Sequence, residues 1–196
     1  MQLKSLNPIM KKTINIGIYD SGLGGLTVLK EFKKIMPYYN YIYFGDTAHV
    51  PYGNKSKQTI FEYSKEAIKF FEKKDVTVII IACNTVSSLV LEELREYTDV
   101  VLVDVITPFK SFFKQKVEDC QGNINIGVIG TNNTIQSKAY NKILTDINSK
   151  IQVYSQACPM FVPIIELGFV NHRIAPIVIE EYLHELKKEN LHYLIL

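Results

Sequence analysis

The sequence is short of several things, and each shortage removes a class of protein. Cysteine occurs three times in 196 residues, at Cys83, Cys120 and Cys158. An odd count with no close pairing pattern argues against a disulfide scaffold and for a reducing compartment. Long hydrophobic runs are missing too. The longest, residues 76–83, is interrupted by Thr77 and falls far short of the ~20 residues a membrane helix needs. Residues 1–12 lack the sustained apolar core of a signal peptide and read as an N-terminal extension. The expected setting is therefore the cytoplasm, with no membrane partner. Excess charge is also lacking, since the formal net charge is only +2. The most basic stretch, residues 110–116, runs directly into Glu118 and Asp119, so a solvated helix face explains it and no nucleic-acid partner is expected.

What remains is ordinary globular composition, 47% hydrophobic and 21% charged, enough for one large domain or two small ones. Short apolar segments at residues 14–19, 41–44, 76–82 and 100–105 read as buried strands. Segments with helical spacing fall between them, at residues 26–36, 59–74 and 86–97. Continuous apolar strands alternating with helices predict a parallel sheet covered on both faces. The pattern then restarts. Ile14-Asn15-Ile16-Gly17-Ile18 recurs as Ile124-Asn125-Ile126-Gly127-Val128, and each copy leads into a polar loop and a helix. We therefore expect an α/β protein of two similar parallel-sheet units, residues 13–106 and 107–196, flanking a cleft. Ligands of such sheets bind beyond the carboxyl ends of the strands, where both polar loops lie.

Three segments carry chemistry. Asp20-Ser21-Gly22-Leu23-Gly24-Gly25 is a glycine-rich strand-to-helix turn. It does not match the dinucleotide fingerprint, because Thr27 stands at the third glycine position and the acidic residue precedes the glycines, where it would repel a pyrophosphate. A carboxylate and a hydroxyl at a helix entrance suit a zwitterionic ligand better. In Ala82-Cys83-Asn84-Thr85 the thiol lies between a strand and a helix N-terminus, where the helix dipole lowers its pKa and favours thiolate. A small buried cysteine is an equally good reading of the position. Cys120 sits in an acidic turn, and Cys158 precedes Pro159 in an apolar run, so both have weaker claims. Tyr43-Phe44-Gly45-Asp46-Thr47 and Val50-Pro51-Tyr52-Gly53 form a strand and a loop that walls a pocket or simply packs.

Taken in order, these motifs resemble the glutamate racemases. Gly127-Val128-Ile129-Gly130-Thr131 and Ala157-Cys158-Pro159-Met160-Phe161-Val162-Pro163 continue the resemblance in the second unit. It implies cofactor-independent racemisation of L-glutamate to D-glutamate for peptidoglycan synthesis, by two cysteines that work on opposite faces of the α-carbon. Cys83 matches one of them, Asp20 would assist it, and Glu166 would assist the other. Ser21, Tyr52, Gly53, Asn84 and Thr85, with Thr131 and Thr134 from the second unit, match substrate-holding positions. No cofactor or metal is implied.

The family places its second cysteine in a Gly-Cys-Thr-His segment, which this sequence lacks. The internal repeat agrees: Cys83 lies 83 − 17 = 66 positions after Gly17, and 66 added to Gly127 gives 193, with no cysteine after Cys158. We therefore expect the second unit to be incomplete at its C-terminus, with an apolar strand left exposed that invites a homodimer. His49 departs from the family pattern as a tolerated rim residue. Two alternatives follow: an inactive ligand-binding or regulatory remnant, and a racemase for another acidic amino acid such as aspartate.

Overall fold

The computed structural model describes residues 14–117 and 122–196. The N-terminal extension and Cys120 lie outside the described residues.

In the first unit, β1 (Asn15–Asp20) is the first of four parallel strands. Then follow α1 (Gly25–Ile35), β2 (Asn40–Gly45), α2 (Lys57–Glu72), β3 (Val76–Ile81), α3 (Asn84–Leu89), α4 (Leu91–Tyr97) and β4 (Val101–Asp104). The strand order is β2-β1-β3-β4. Alternating residues of this sheet bury opposite faces. Tyr19, Ile79 and Ile81 pack with Ile60, Phe71 and Leu94 on one side. Ile16, Ile18 and Ile80 pack with Val28, Leu29 and Phe32 of α1 on the other. Coverage on both faces is why the strands read as nearly continuous apolar runs.

The second unit contains α5 (Pro108–Val117), β5 (Ile124–Gly130), α6 (Asn132–Gln136), α7 (Ala139–Ile147), β6 (Ile151–Ala157), α8 (Phe161–Glu166), α9 (Ile174–Leu183) and β7 (Tyr193–Ile195). Its sheet is parallel, in the order β6-β5-β7. That order repeats β2-β1-β3, with the duplicated segments on the central strands β1 and β5. The shared glycine has the same job in both. A Cβ on Gly17 would lie 2.7 Å from the Phe71 ring, and one on Gly127 would lie 2.6 Å from Leu191. The two sheets are thus two parallel α/β units, as expected. Ile106 packs with Phe113, Val128 and Tyr140 in the core of the second unit.

Local chemistry explains where helices start and stop. Ser56 accepts the Thr59 N–H at 3.1 Å and so starts α2 earlier than the apolar spacing suggests. Thr131 caps α6 in the same way, accepting the Thr134 N–H at 3.2 Å. The single helix expected over residues 86–97 is instead two. Val90 leaves the helical backbone at φ −130°, a conformation that suits its β-branched side chain. Two residues earlier the Ser88 hydroxyl bonds back to the Thr85 carbonyl and competes with the helix ladder. Among the described residues no helix is long and apolar enough to cross a membrane.

Candidate active site

The carboxyl ends of β1, β3 and β5 open onto one cavity of about 750 Å³ between the two units. Asp20, Ser21, Cys83, Asn84 and Thr85 line it from the first unit, and Thr131, Thr134 and Glu166 from the second. Eight of the ten residues singled out in the sequence therefore meet at one place. The exceptions are Tyr52 and Gly53. The Tyr52 hydroxyl is buried, donates to Asp46 Oδ2 at 2.6 Å and lies 3.1 Å from the Tyr19 hydroxyl. That loop meets the second unit through its backbone instead. Asn133 Nδ2 donates to the carbonyls of Tyr52 and Lys55 at 3.0 and 2.8 Å, and Gly53 sits so close to Thr131 that an added Cβ would lie 2.6 Å from it.

Asp20 ends β1 and turns back over its own loop, its Oδ2 accepting the Gly22 N–H at 3.0 Å. Burial holds its carboxyl above the usual range despite the N–H groups of Gly25, Gly22 and Ser21 that favour the charged form. Glu166 reaches across from α8 and accepts the Leu23 N–H at 2.8 Å. It fills the space a side chain on Gly22 would need, with Oε1 only 2.1 Å from an added Cβ. Its negative charge adds to the upward push on Asp20.

Cys83 is the residue before α3, 4% exposed, and its thiol donates to Ser21 Oγ at 3.3 Å. Here the structure overturns an expectation. The thiol is pushed up to about 11, not lowered. Burial is the largest cause and the Asp20 charge the next; the Ser21 hydroxyl and the backbone N–H groups of Val86 and Ser21 pull the other way without winning. The helix start is real, but desolvation outweighs it.

Three hydroxyls tie the units together beside the thiol: Thr85 Oγ1 lies 3.0 Å from Thr131 Oγ1 and 3.4 Å from Thr134 Oγ1, and the last two are 3.0 Å apart. Tyr140 of α7 donates its hydroxyl to Asn84 Oδ1 at 2.6 Å. Sequence reasoning missed Tyr140, which reads as one more apolar position on an amphipathic helix. Cys158 follows β6 and also lines the cavity, its Sγ 3.7 Å from the Gln156 carbonyl; burial pushes it up to about 11 as well. His49 is not among the residues lining the cavity; its Nδ1 lies 2.8 and 2.9 Å from the Asp46 oxygens and its ring stacks on Tyr63 at 4.1 Å. Among the described residues no group of three or more His, Cys, Asp or Glu could hold a metal ion.

Two parallel α/β units that face a shared cavity, with a thiol, a carboxylate and hydroxyls at the strand ends, define a two-lobed α/β protein with its candidate site between the lobes. Comparisons with known proteins narrow the class. No family model matches the chain. It is 42% identical to a glutamate racemase of Sulfurihydrogenibium over 92% of its length, covering 68% of that relative. It is 41% identical to one from Geobacter metallireducens, covering 66% of it. Among solved structures, the Francisella tularensis glutamate racemase in complex with D-glutamate superposes with a TM-score of 0.82 at 40% identity, over 94% of this chain and 68% of that one. The Aquifex pyrophilus glutamate racemase does so with a TM-score of 0.76 at 42% identity, over 93% and 70%. The chain spans about two thirds of the length of these relatives. It belongs to the glutamate racemase family of isomerases.

Proposed function

We propose that this chain serves the interconversion of L- and D-glutamate, supplying the D-isomer for peptidoglycan in the cytoplasm, and that Cys83 moves the α-proton on one face. The observation that carries the reading is the convergence of Cys83, Asp20 and the Thr85–Thr131–Thr134 hydroxyls on one cavity at the strand ends. The Francisella tularensis glutamate racemase was solved in complex with D-glutamate, and the relatives named above are glutamate rather than aspartate racemases.

The reading also accounts for a thiol held up near 11. A thiolate beside a buried carboxylate is unfavourable in this cavity. An ammonium placed against Asp20 and Cys83 changes the balance, because a cation favours both charged forms. Substrate then creates its own base: the thiol loses its proton as the α-ammonium arrives, and the thiolate takes the α-proton. Asp20, whose charge already acts on the thiol, accepts the proton that Cys83 gives up. Asn84, Thr85, Ser21 and the second-unit threonines hold the carboxylates. Glu166, already across the cleft, stands on the side of the second unit and serves the opposite face.

The exposed apolar residues Ile177, Leu194 and Leu196 support self-association into a homodimer, which sedimentation would check. The proposed function is tested by incubating each glutamate enantiomer with the protein and following the α-centre by NMR and chiral chromatography. α-Proton turnover that depends on Cys83 supports it. Turnover that survives Cys83→Ala but is lost in Cys158→Ala would move the chemistry to the other thiol.

A further inference from the structure

Asn84 is held from one side only. Its Oδ1 accepts the Tyr140 hydroxyl at 2.6 Å across the two units. The described residues give its Nδ2 no protein hydrogen bond, yet no buried side-chain nitrogen or oxygen is left without a partner, so Nδ2 faces open space, and the residue lines the cavity. An asparagine amide has an acceptor end and a donor end, and a half-turn exchanges them. Here the half-turn is blocked. Tyr140 is 3% exposed and packed edge-on against Phe109. Its hydroxyl makes no other hydrogen bond among the described residues. Turning the amide would leave that buried O–H without an acceptor, an expensive loss in a desolvated place.

We propose that Tyr140 is a positioning residue for ligand selectivity: by anchoring Asn84 Oδ1 it commits the Asn84 amide to present only N–H donors to the cavity, so that the site accepts a carboxylate and rejects the corresponding carboxamide. The proposal deepens the reading of the cavity as a glutamate site and rests on it. A carboxylate offers acceptors at both oxygens, so it meets a donor-only face in either orientation. A carboxamide has one acceptor oxygen. It must turn that oxygen to Asn84 and push its NH₂ against the opposite wall, or set donor against donor. Burial keeps the Tyr140 hydroxyl protonated, its pKa lying well above the usual phenol range, as a permanent donor requires.

The test compares D-glutamate with its two amides, D-glutamine and D-isoglutamine, by calorimetric titration of the full chain. The wild-type protein should bind D-glutamate and reject at least one amide by about 10- to 100-fold, the range for leaving one polar group unpaired. The rejected amide identifies which carboxylate sits on Asn84. Tyr140→Phe keeps the ring and its packing but frees the amide to turn. It should lower that ratio to about 3-fold or less, with glutamate affinity falling and amide affinity rising. In the Asn84→Ala background the same substitution should leave the ratio unchanged, because Tyr140 acts through Asn84. A general packing defect would weaken all three ligands together and leave the ratio intact, which overturns the proposal. If Tyr140→Phe does not fold, side-chain NMR of the wild-type chain decides. The Asn84 NH₂ protons must shift on adding D-glutamate, and an unmoved pair while the Thr85 amide responds refutes the anchoring. A wild-type chain that binds no glutamate overturns the glutamate reading and this inference with it. Binding with an unchanged ratio in Tyr140→Phe overturns this inference alone.

Discussion

Alkylation of Cys83 as a function of pH tests the electrostatics of the site. The perturbation is pH itself, and the reporter is a small neutral alkylating agent read by mass spectrometry at Cys83. With the thiol pushed up to about 11, about 1 part in 10⁴ is thiolate at pH 7, against about 3 in 100 for an ordinary thiol of pKa ~8.5. Thiolate population alone makes Cys83 ~300-fold slower than a free thiol. A more basic thiolate is intrinsically more nucleophilic, with a Brønsted coefficient of ~0.4–0.5, which returns a factor of ~10–20. The expected net retardation at pH 7 is therefore about 15- to 30-fold before any steric protection. The rate should rise tenfold per pH unit and bend only near 11. Cys158, raised to a similar value, should behave alike. The same raised pKa has a stability consequence. Between ~8.5 and 11 the unfolded chain has released the Cys83 proton while the folded chain still holds it, so stability falls as pH rises through that window. A rate that matches a free thiol at pH 7 and levels off below pH 9 would refute the reasoning, because it would mean that the helix start and Ser21 outweigh burial.

Other perturbations follow from particular contacts. Asp20→Asn keeps an acceptor for the Gly22 N–H, so the fold should survive while α-proton turnover drops ~10²–10⁴-fold, measured as deuterium uptake. Tyr52→Phe leaves Asp46 Oδ2 without the Tyr52 donor and the Tyr19 hydroxyl short of a partner; urea unfolding should show a loss of about 1–3 kcal/mol. Gly45→Ala forces a Cβ to 2.4 Å from the Gly22 carbonyl, which is backbone and cannot swing away. It should cost about 1–3 kcal/mol by thermal melting and disturb the Asp20–Gly25 loop, with weaker ligand binding as the second readout.

What the sequence discloses and what it hides divide along physical lines. Strands buried on both faces are legible because little that is polar interrupts them, and the doubled Asn-Ile-Gly segment is legible because both glycines sit under side chains that leave no room for a Cβ. The two-unit architecture follows. The helix break at Val90 is not legible, since its apolar spacing continues through the break. The thiol's environment is only half legible. The helix start next to Cys83 is local, whereas the burial and the Asp20 charge that dominate it come from residues far away in sequence. Tyr52 shows the same limit. Its motif marks a loop at the cleft, but the partners that turn its hydroxyl into the core, Asp46 and Tyr19, are 6 and 33 residues away. Tyr140 carries no motif at all; only the tertiary contact with Asn84 reveals it.

The central claim is that Cys83 takes the α-proton of glutamate, and hydrogen exchange at that carbon measures it most directly. Each enantiomer is incubated separately with the protein in D₂O and followed by NMR. The account predicts deuterium entering the α-position of the enantiomer whose proton faces Cys83, at a rate that falls at least ~10²-fold in Cys83→Ala. Uptake unchanged by Cys83→Ala, or no uptake from either enantiomer by a folded protein that binds glutamate, would contradict it.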